Sequence, residues 1–210
     1  MPAHPTPSRN CAYADRTIAA YRWQAGKAIT NWTASWKPSA FLRRFIRTLP
    51  SHGNILDYGC GIGIEMAWMQ KKGFLVEGID GTLEFVKESR RRCPDVKITH
   101  ARFENAKLSL GAYDGIWCNA ALIHVPPQEM KRQLGALRRC LKPNGILGLS
   151  CAWGRMKGFT RRDWIPGRYI AGYRKEELKT FFDQWTIHDI KVTSRASREG
   201  RWIQILASSC

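Results

Sequence analysis

Asp57, Gly59, Gly61 and Gly63 fall in a stretch that changes character twice within a few residues. Asn54 to Leu56 is a short β-favouring apolar run, and Glu65 to Lys72 reads as a helix. A carboxylate and three glycines at alternating positions between them describe a strand end, a tight turn and a helix start. Glycine suits such a turn because it reaches φ > 0 and because a side chain would hold the backbone away from a ligand. The free N–H groups of the helix start add partial positive charge facing whatever binds. Asp57 comes before the glycines, where it can accept hydrogen bonds from an ammonium group or from the loop and would repel a pyrophosphate. Asp80 ends a second apolar run about 20 residues on, the spacing at which a carboxylate receives ribose hydroxyls. These two acids narrow a turn that several nucleotide sites share.

From these residues onward the sequence resembles the class I S-adenosylmethionine (SAM)-dependent methyltransferases. Tyr113-Asp114-Gly115-Ile116-Trp117-Cys118-Asn119 is similar to the family's fourth strand, and Ala121-Leu122-Ile123-His124-Val125-Pro126 to the loop and helix start after it. Leu141-Lys142-Pro143-Asn144-Gly145-Ile146-Leu147 is similar to the turn into the fifth strand. The motifs keep the family's order over roughly Gly53 to Cys151. The resemblance implies an α/β, Rossmann-like class I methyltransferase fold: a mostly parallel seven-stranded sheet with helices on both faces and a C-terminal antiparallel hairpin. It implies SAM as cofactor and S-adenosylhomocysteine as product, held by Asp57, Gly59, Cys60, Gly61, Gly63, Asp80, Gly81, Asn119 and Ala120.

One segment departs from the family pattern, in which an Asp follows the third strand and reaches the adenine amine. Here the residues are Ala101-Arg102-Phe103-Glu104, so Phe103 is assigned to the adenine face and Glu104 to the acid one residue later. The N-terminal segment resembles the family's lid, where a tyrosine commonly covers the sulfonium end of SAM. Tyr13 and Tyr21 are the candidates, with a purely packing role as the alternative.

Methyl transfer from a sulfonium is an in-line displacement with a neutral leaving group, so much of the catalysis can come from positioning in a dry pocket. A base is needed only if the acceptor must lose a proton. His124 is the candidate base, since it follows the fourth strand and titrates near neutrality; the alternative is a hydrogen bond to the loop or cofactor. Tyr21, Tyr173 and Arg168 complete the candidate catalytic set, Arg168 either binding an anionic acceptor or anchoring its loop. The run Gly167-Arg168-Tyr169, with Tyr173, Glu176-Glu177-Leu178 and Arg201-Trp202-Ile203, resembles a branch of small single-domain bacterial enzymes thought to act on small molecules. Cys60, Cys118 and Cys151 fall near strand ends, which admits a thiophilic acceptor such as a metalloid oxyanion beside the commoner role of small core residues.

The elements that must position these groups alternate as strand and helix, the signature of a parallel sheet covered on both faces. Ala12 to Thr30 is loosely helical, and Pro38 to Leu49 repeats Phe41, Leu42, Phe45, Ile46 and Leu49 at the spacing of a buried helix face. Further strands are expected at Phe74 to Ile79, Val96 to His100 and Ile146 to Cys151, and helices at Leu83 to Arg92, Pro126 to Leu141 and Lys175 to Gln184. Residues 152–172 have no clear period and read as a long binding loop. Thr186 to Thr193 and Arg201 to Ala207 read as the closing hairpin with a basic tip from Ser194 to Gly200. The organisation expected is a disordered tail over 1–10 and one methyltransferase domain over 11–210. Within that domain, 11–50 form a helical lid, 53–151 the cofactor-binding core, 152–174 a substrate-side loop, and 175–210 a helix and hairpin.

At 210 residues and 44% hydrophobic content the chain suits one domain with a full core. No apolar run reaches the ~18 residues of a membrane span, residues 1–10 lack the apolar stretch of a secretory signal, and the seven cysteines show no zinc-ligand spacing. These features favour a cytoplasmic protein without a metal centre. The net charge of +17 is uneven. Residues 57–129 hold 9 Lys/Arg and 10 Asp/Glu, residues 1–56 hold 8 and 1, and residues 130–210 hold 17 and 6. The basic flanks fit a small anionic or polar acceptor, an RNA backbone, or plain solubility. An RNA methyltransferase is therefore the alternative enzyme, with Trp153 and Trp164 as base-stacking candidates. A SAM-binding regulatory subunit without activity is the alternative outside enzymes. As an enzyme, a monomer or homodimer is expected.

Overall fold

The structure, a computed structural model, describes residues 12–34, 36–194 and 200–209. The expected tail over 1–10 and residues 195–199 of the expected hairpin tip lie outside the described residues.

Two helices, α1 (Ala12–Trp23) and α2 (Ala25–Ala34), stand where one was expected to Thr30. α3 (Ala40–Arg47) starts at Ser39, whose hydroxyl accepts the Leu42 N–H at 3.0 Å, so Pro38 precedes the cap and is not in the first turn. Strands β1 (Asn54–Tyr58), β2 (Leu75–Asp80), β3 (Lys97–His100), β4 (Tyr113–Asn119) and β5 (Leu141–Trp153) run parallel in the order β3-β2-β1-β4-β5. Side chains alternate across a strand, and both faces here are buried. Ile55, Trp117 and Ile146 pack with Phe41 and Phe45 of α3, Met66 and Met69 of α4 (Ile64–Lys71), and Val86 of α5 (Leu83–Arg92). Leu56, Ile116 and Leu147 pack with Met130, Leu134 and Leu137 of α6 (Pro127–Cys140) on the other face. That double burial is why these strands read as continuous apolar runs.

Among the described residues the sheet has nine strands, not seven. The additional pair, β6 (Lys157–Phe159) and β7 (Tyr169–Tyr173), fills the segment expected as an irregular loop. β4 accompanies β5 as far as Asn119↔Ser150; past that point Ala152 and Trp153 pair with Gly172 and Tyr173 of β7. β9 (Arg201–Ser209) already holds the other edge of β5 over Ile146–Ala152. β7 therefore occupies the edge that β4 leaves, past the carboxyl end of β4. α7 (Lys175–Lys179) stops short of the expected Gln184, and β8 (Trp185–Ser194) pairs antiparallel with β9 as expected. β5 begins at Leu141 because Pro143-Asn144-Gly145 forms an irregularity between the Tyr113↔Leu141 and Gly115↔Ile146 pairs; it does not cap α6.

Candidate functional site

The carboxyl ends of β1, β2 and β4 meet around one loop. Gly59 and Cys60 both donate their backbone N–H to the Ile79 carbonyl at 2.9 Å. Gly61 donates to Asp80 Oδ2 at 3.0 Å, and Asp80 Oδ1 takes the Thr82 N–H at 2.7 Å. Asp80 thereby ties the glycine turn to the start of α5. Gly59 sits at φ 88°, and a Cβ there would lie 2.4 Å from the Ala121 Cβ, so only glycine lets the turn close on the loop after β4.

A cavity of about 310 Å³ opens above this loop. Gly59, Cys60, Gly61, Asp80 and Gly81 line one side, Phe103 and Glu104 a second, Asn119, Ala120 and His124 a third, and Tyr13 and Tyr21 cover it from α1. The Phe103 ring stacks on Tyr58 at 4.3 Å and 21°, and the Tyr58 hydroxyl donates to buried Gln133 Oε1 at 2.9 Å. Glu104 Oε1 is buried without a hydrogen-bond partner, its nearest cation being Arg102 at 4.0 Å. Asp57 lies off the cavity wall, buried, with Oδ2 unpartnered. Burial pushes its carboxyl well above the usual range, and the Glu65 and Asp80 carboxylates add to the rise. An unsatisfied buried polar atom costs about 1–3 kcal/mol. Glu104 Oε1, on the cavity wall, fits a ligand that brings a hydrogen-bond donor, whereas Asp57 Oδ2 lies beneath that wall.

Tyr21 and His124, 103 residues apart, meet at 2.9 Å between the phenol oxygen and Nε2. His124 Nδ1 lies 2.7 Å from the Tyr169 carbonyl, which can only accept, so Nδ1 carries the proton and Nε2 accepts from the Tyr21 hydroxyl. Arg168 donates to the Tyr21 oxygen at 2.9 Å and is itself ion-paired with Asp163. Burial lowers the His124 pKa to about 4, and the Arg168 charge pushes the same way. The imidazole is therefore neutral and engaged at both nitrogens.

Four of the expected site residues lie off the cavity. Asp57 is beneath it, and Gly63 caps α4 at φ 73°. Arg168 reaches it only through Tyr21, its charge already paired, which removes it as a free anion binder. Tyr173 is fully buried against Phe181, with no hydrogen-bond partner for its hydroxyl, and does not reach the cavity. Cys118 and Cys151 are also fully buried, and burial raises the Cys60, Cys118 and Cys151 thiols, that of Cys118 to about 12, so none offers a thiolate. No cluster of three or more His, Cys, Asp or Glu able to hold a metal occurs among the described residues.

Sequence reasoning missed Glu65, Trp32 and Phe85, all on the cavity wall. Glu65 was legible as an acid in the first turn of the helix after the glycines, where it accepts from Trp117 Nε1 at 2.7 Å. Trp32 and Phe85 lie ring to ring at 5.1 Å across 53 residues of chain, a contact with no local signal. The two tryptophans expected as base-stacking candidates are half-buried: Arg174 and Arg201 lie against Trp153, with guanidinium carbons 4.1 and 4.9 Å from its ring, and Trp32 and Arg168 lie against Trp164.

Residues 55–145 match the family model described as "Methyltransferase domain". The chain is 30% identical over 145 residues to 2-methyl-6-phytyl-1,4-hydroquinone methyltransferase of Synechocystis sp., covering 66% of this chain and 42% of that protein. It is 32% identical over 111 residues to ubiquinone biosynthesis O-methyltransferase of Vibrio campbellii, covering 50% and 46%. The chain thus spans less than half the length of these relatives. Among solved structures, Burkholderia thailandensis 1,6-didemethyltoxoflavin-N1-methyltransferase, with 1,6-didemethyltoxoflavin and S-adenosylhomocysteine bound, superposes with a TM-score of 0.79 at 17% identity, over 99% of this chain and 93% of that one.

Proposed function

We propose that this chain, which has the class I SAM-dependent methyltransferase fold and carries a methyltransferase domain over residues 55–145, transfers a methyl group from SAM to a small, polar or anionic acceptor. The observation that carries the reading is the cavity whose wall brings together the glycine turn, Asp80 and Glu104, with Glu104 Oε1 buried and without a hydrogen-bond partner. SAM offers what these groups lack: an ammonium, an adenine amine and ribose hydroxyls. Asp80 would take the ribose, Phe103 the adenine face and Glu104 its amine. Asn119 and Ala120 would take the methionine end, and Tyr13 and Tyr21 would cover the sulfonium. Bound there, SAM supplies an electrophilic methyl group.

The neutral, doubly engaged His124 supports a latch on Tyr21 over a base. An imidazole that resists protonation down to about pH 4 is a poor store for an acceptor's proton. The acceptor is then one that brings its lone pair ready, as an oxygen or sulfur anion already deprotonated in solution or as a neutral nitrogen nucleophile. The cavity, near the lower end of the ~300–1,000 Å³ usual for ligand pockets, favours a small one. The relatives' names, which give a hydroquinone, ubiquinone biosynthesis and 1,6-didemethyltoxoflavin, support a small molecule over RNA, as does the partial covering of Trp153 and Trp164. The buried, unpaired cysteines suit a cytoplasmic setting.

Calorimetric titration with SAM and S-adenosylhomocysteine, beside a labelled-methyl screen of small acids, phenols, amines and bulk RNA, tests the proposal. Binding that Asp80→Ala weakens about tenfold or more, with label entering a small molecule, is the expected result. Binding without transfer to any acceptor would point to a regulatory subunit, and folded protein that binds neither nucleoside would remove the reading.

A further inference from the structure

Ser150 lies within β5, 2% exposed and off the cavity wall, yet two of its hydrogen bonds end on residues that form that wall. Its hydroxyl donates to Asn119 Oδ1 at 2.6 Å, and its oxygen accepts the Ala120 N–H at 2.9 Å. The Asn119 amide cannot be reversed, because Nδ2 donates to the two Glu65 oxygens at 3.1 and 3.2 Å, and a carboxylate only accepts. Trp117 Nε1 holds Glu65 in turn. A path of matched donors and acceptors therefore runs from Trp117 through Glu65, Asn119 and Ser150 to Ala120.

The backbone at the end of that path is held against its preference. Ala120 has φ 56°, in the left-handed region that a residue with a Cβ enters at a cost. Asn119↔Ser150 is also the last register pair between β4 and β5, so beyond it the sheet ladder no longer fixes the chain. A serine can do so because one short oxygen both donates and accepts.

We propose that Ser150 is a positioning residue for the cofactor: its hydroxyl fixes the Asn119–Ala120 turn and so presents both residues to the methionine end of SAM. The proposal rests on the SAM reading above. The test is calorimetric titration of S-adenosylhomocysteine into the wild type, Ser150→Ala, Ser150→Cys and the double variant Ser150→Ala with Ala120→Gly, with amide hydrogen exchange at Ala120 followed in each. Cysteine keeps the side-chain volume while weakening the hydrogen bond, which separates positioning from packing.

Both single variants should bind about tenfold or more weaker, because the turn is then free to leave the left-handed conformation that Ala120 holds at a cost. The Ala120 amide should lose protection in Ser150→Ala. The double variant should recover most of the affinity, because glycine takes φ 56° without help. Unchanged affinity in both single variants would overturn the proposal. So would a loss that Ala120→Gly does not repair, or unchanged exchange at Ala120. A wild type that binds no nucleoside would count against the SAM reading instead, and exchange at Ala120 would then decide the role of Ser150 alone.

Discussion

Asp57 illustrates how the site trades stability for binding. Its carboxyl is raised well above the ordinary value by burial first and by Glu65 and Asp80 next. A carboxyl raised in the folded state contributes stability that is full below its unfolded pKa and is lost as pH rises through the folded value, because the unfolded chain then releases the proton more readily. Asp57→Asn removes that loss. The variant should melt above the wild type at pH 7.5, by about 2–4 °C for each kcal/mol regained, and the gap should close as pH falls toward 4, while affinity for SAM drops. A wild type that melts higher at pH 7.5 would show that the carboxylate is already compensated. The sequence placed Asp57, Asp80 and Asn119 at strand ends and Phe103 just past one, because strand, turn and acid are local patterns. It could not separate Asp80, whose oxygens hold Gly61 and Thr82, from Asp57, whose Oδ2 has no partner, because that difference lies in tertiary surroundings.

At the scale of elements, the β6–β7 hairpin is what ties the N-terminal helices to the sheet beside the cavity. The Tyr169 carbonyl accepts from His124, and its N–H donates to the hydroxyl of buried Thr17 on α1 at 2.9 Å. Arg168 binds Tyr21 on the same helix, and Arg16 of α1 lies over Phe159 of β6 at 4.1 Å. The hairpin thus clamps the lid from the side that β4 leaves open. Thr17→Val keeps the shape of the lid and removes the acceptor for the Tyr169 N–H, at a cost of about 1–3 kcal/mol. Faster hydrogen exchange across Ala12–Trp23 and faster release of S-adenosylhomocysteine should follow. An unchanged exchange rate would mean that the ring contacts alone hold the lid. This hairpin was not legible in the sequence: β6 has three residues, Gly158 interrupts it, and the irregular residues 160–168 separate it from β7. The five core strands and α3 to α6 were legible because each has a period or an apolar run of its own. The division of the lid at Gln24 was not, because the apolar positions continue across it.

For the whole molecule, the excess charge sits outside residues 57–129. Residues 57–129 are nearly balanced, whereas the flanks hold the surplus behind the net +17. Ion pairs such as Arg22–Glu84, Arg44–Asp189, Lys131–Asp183 and Lys157–Glu177 engage many of the acids outside the cavity, so few carboxylates remain to answer the other cations. Asp57, Glu65 and Asp80 are turned to the site and do not relieve the surface. Like charges at this density oppose the compact state, and salt weakens that opposition once the screening length falls to about 10 Å near 0.1 M. The melting temperature of the ligand-free protein should therefore rise as sodium chloride increases from about 0.02 to 0.3 M. Affinity for S-adenosylhomocysteine should change little over the same range, since its partners are buried and screened less. A melting temperature that falls with salt would mean that the surface ion pairs outweigh the repulsion. An affinity that fell steeply with salt would mean that the basic flanks, and not the cavity, bind the nucleoside.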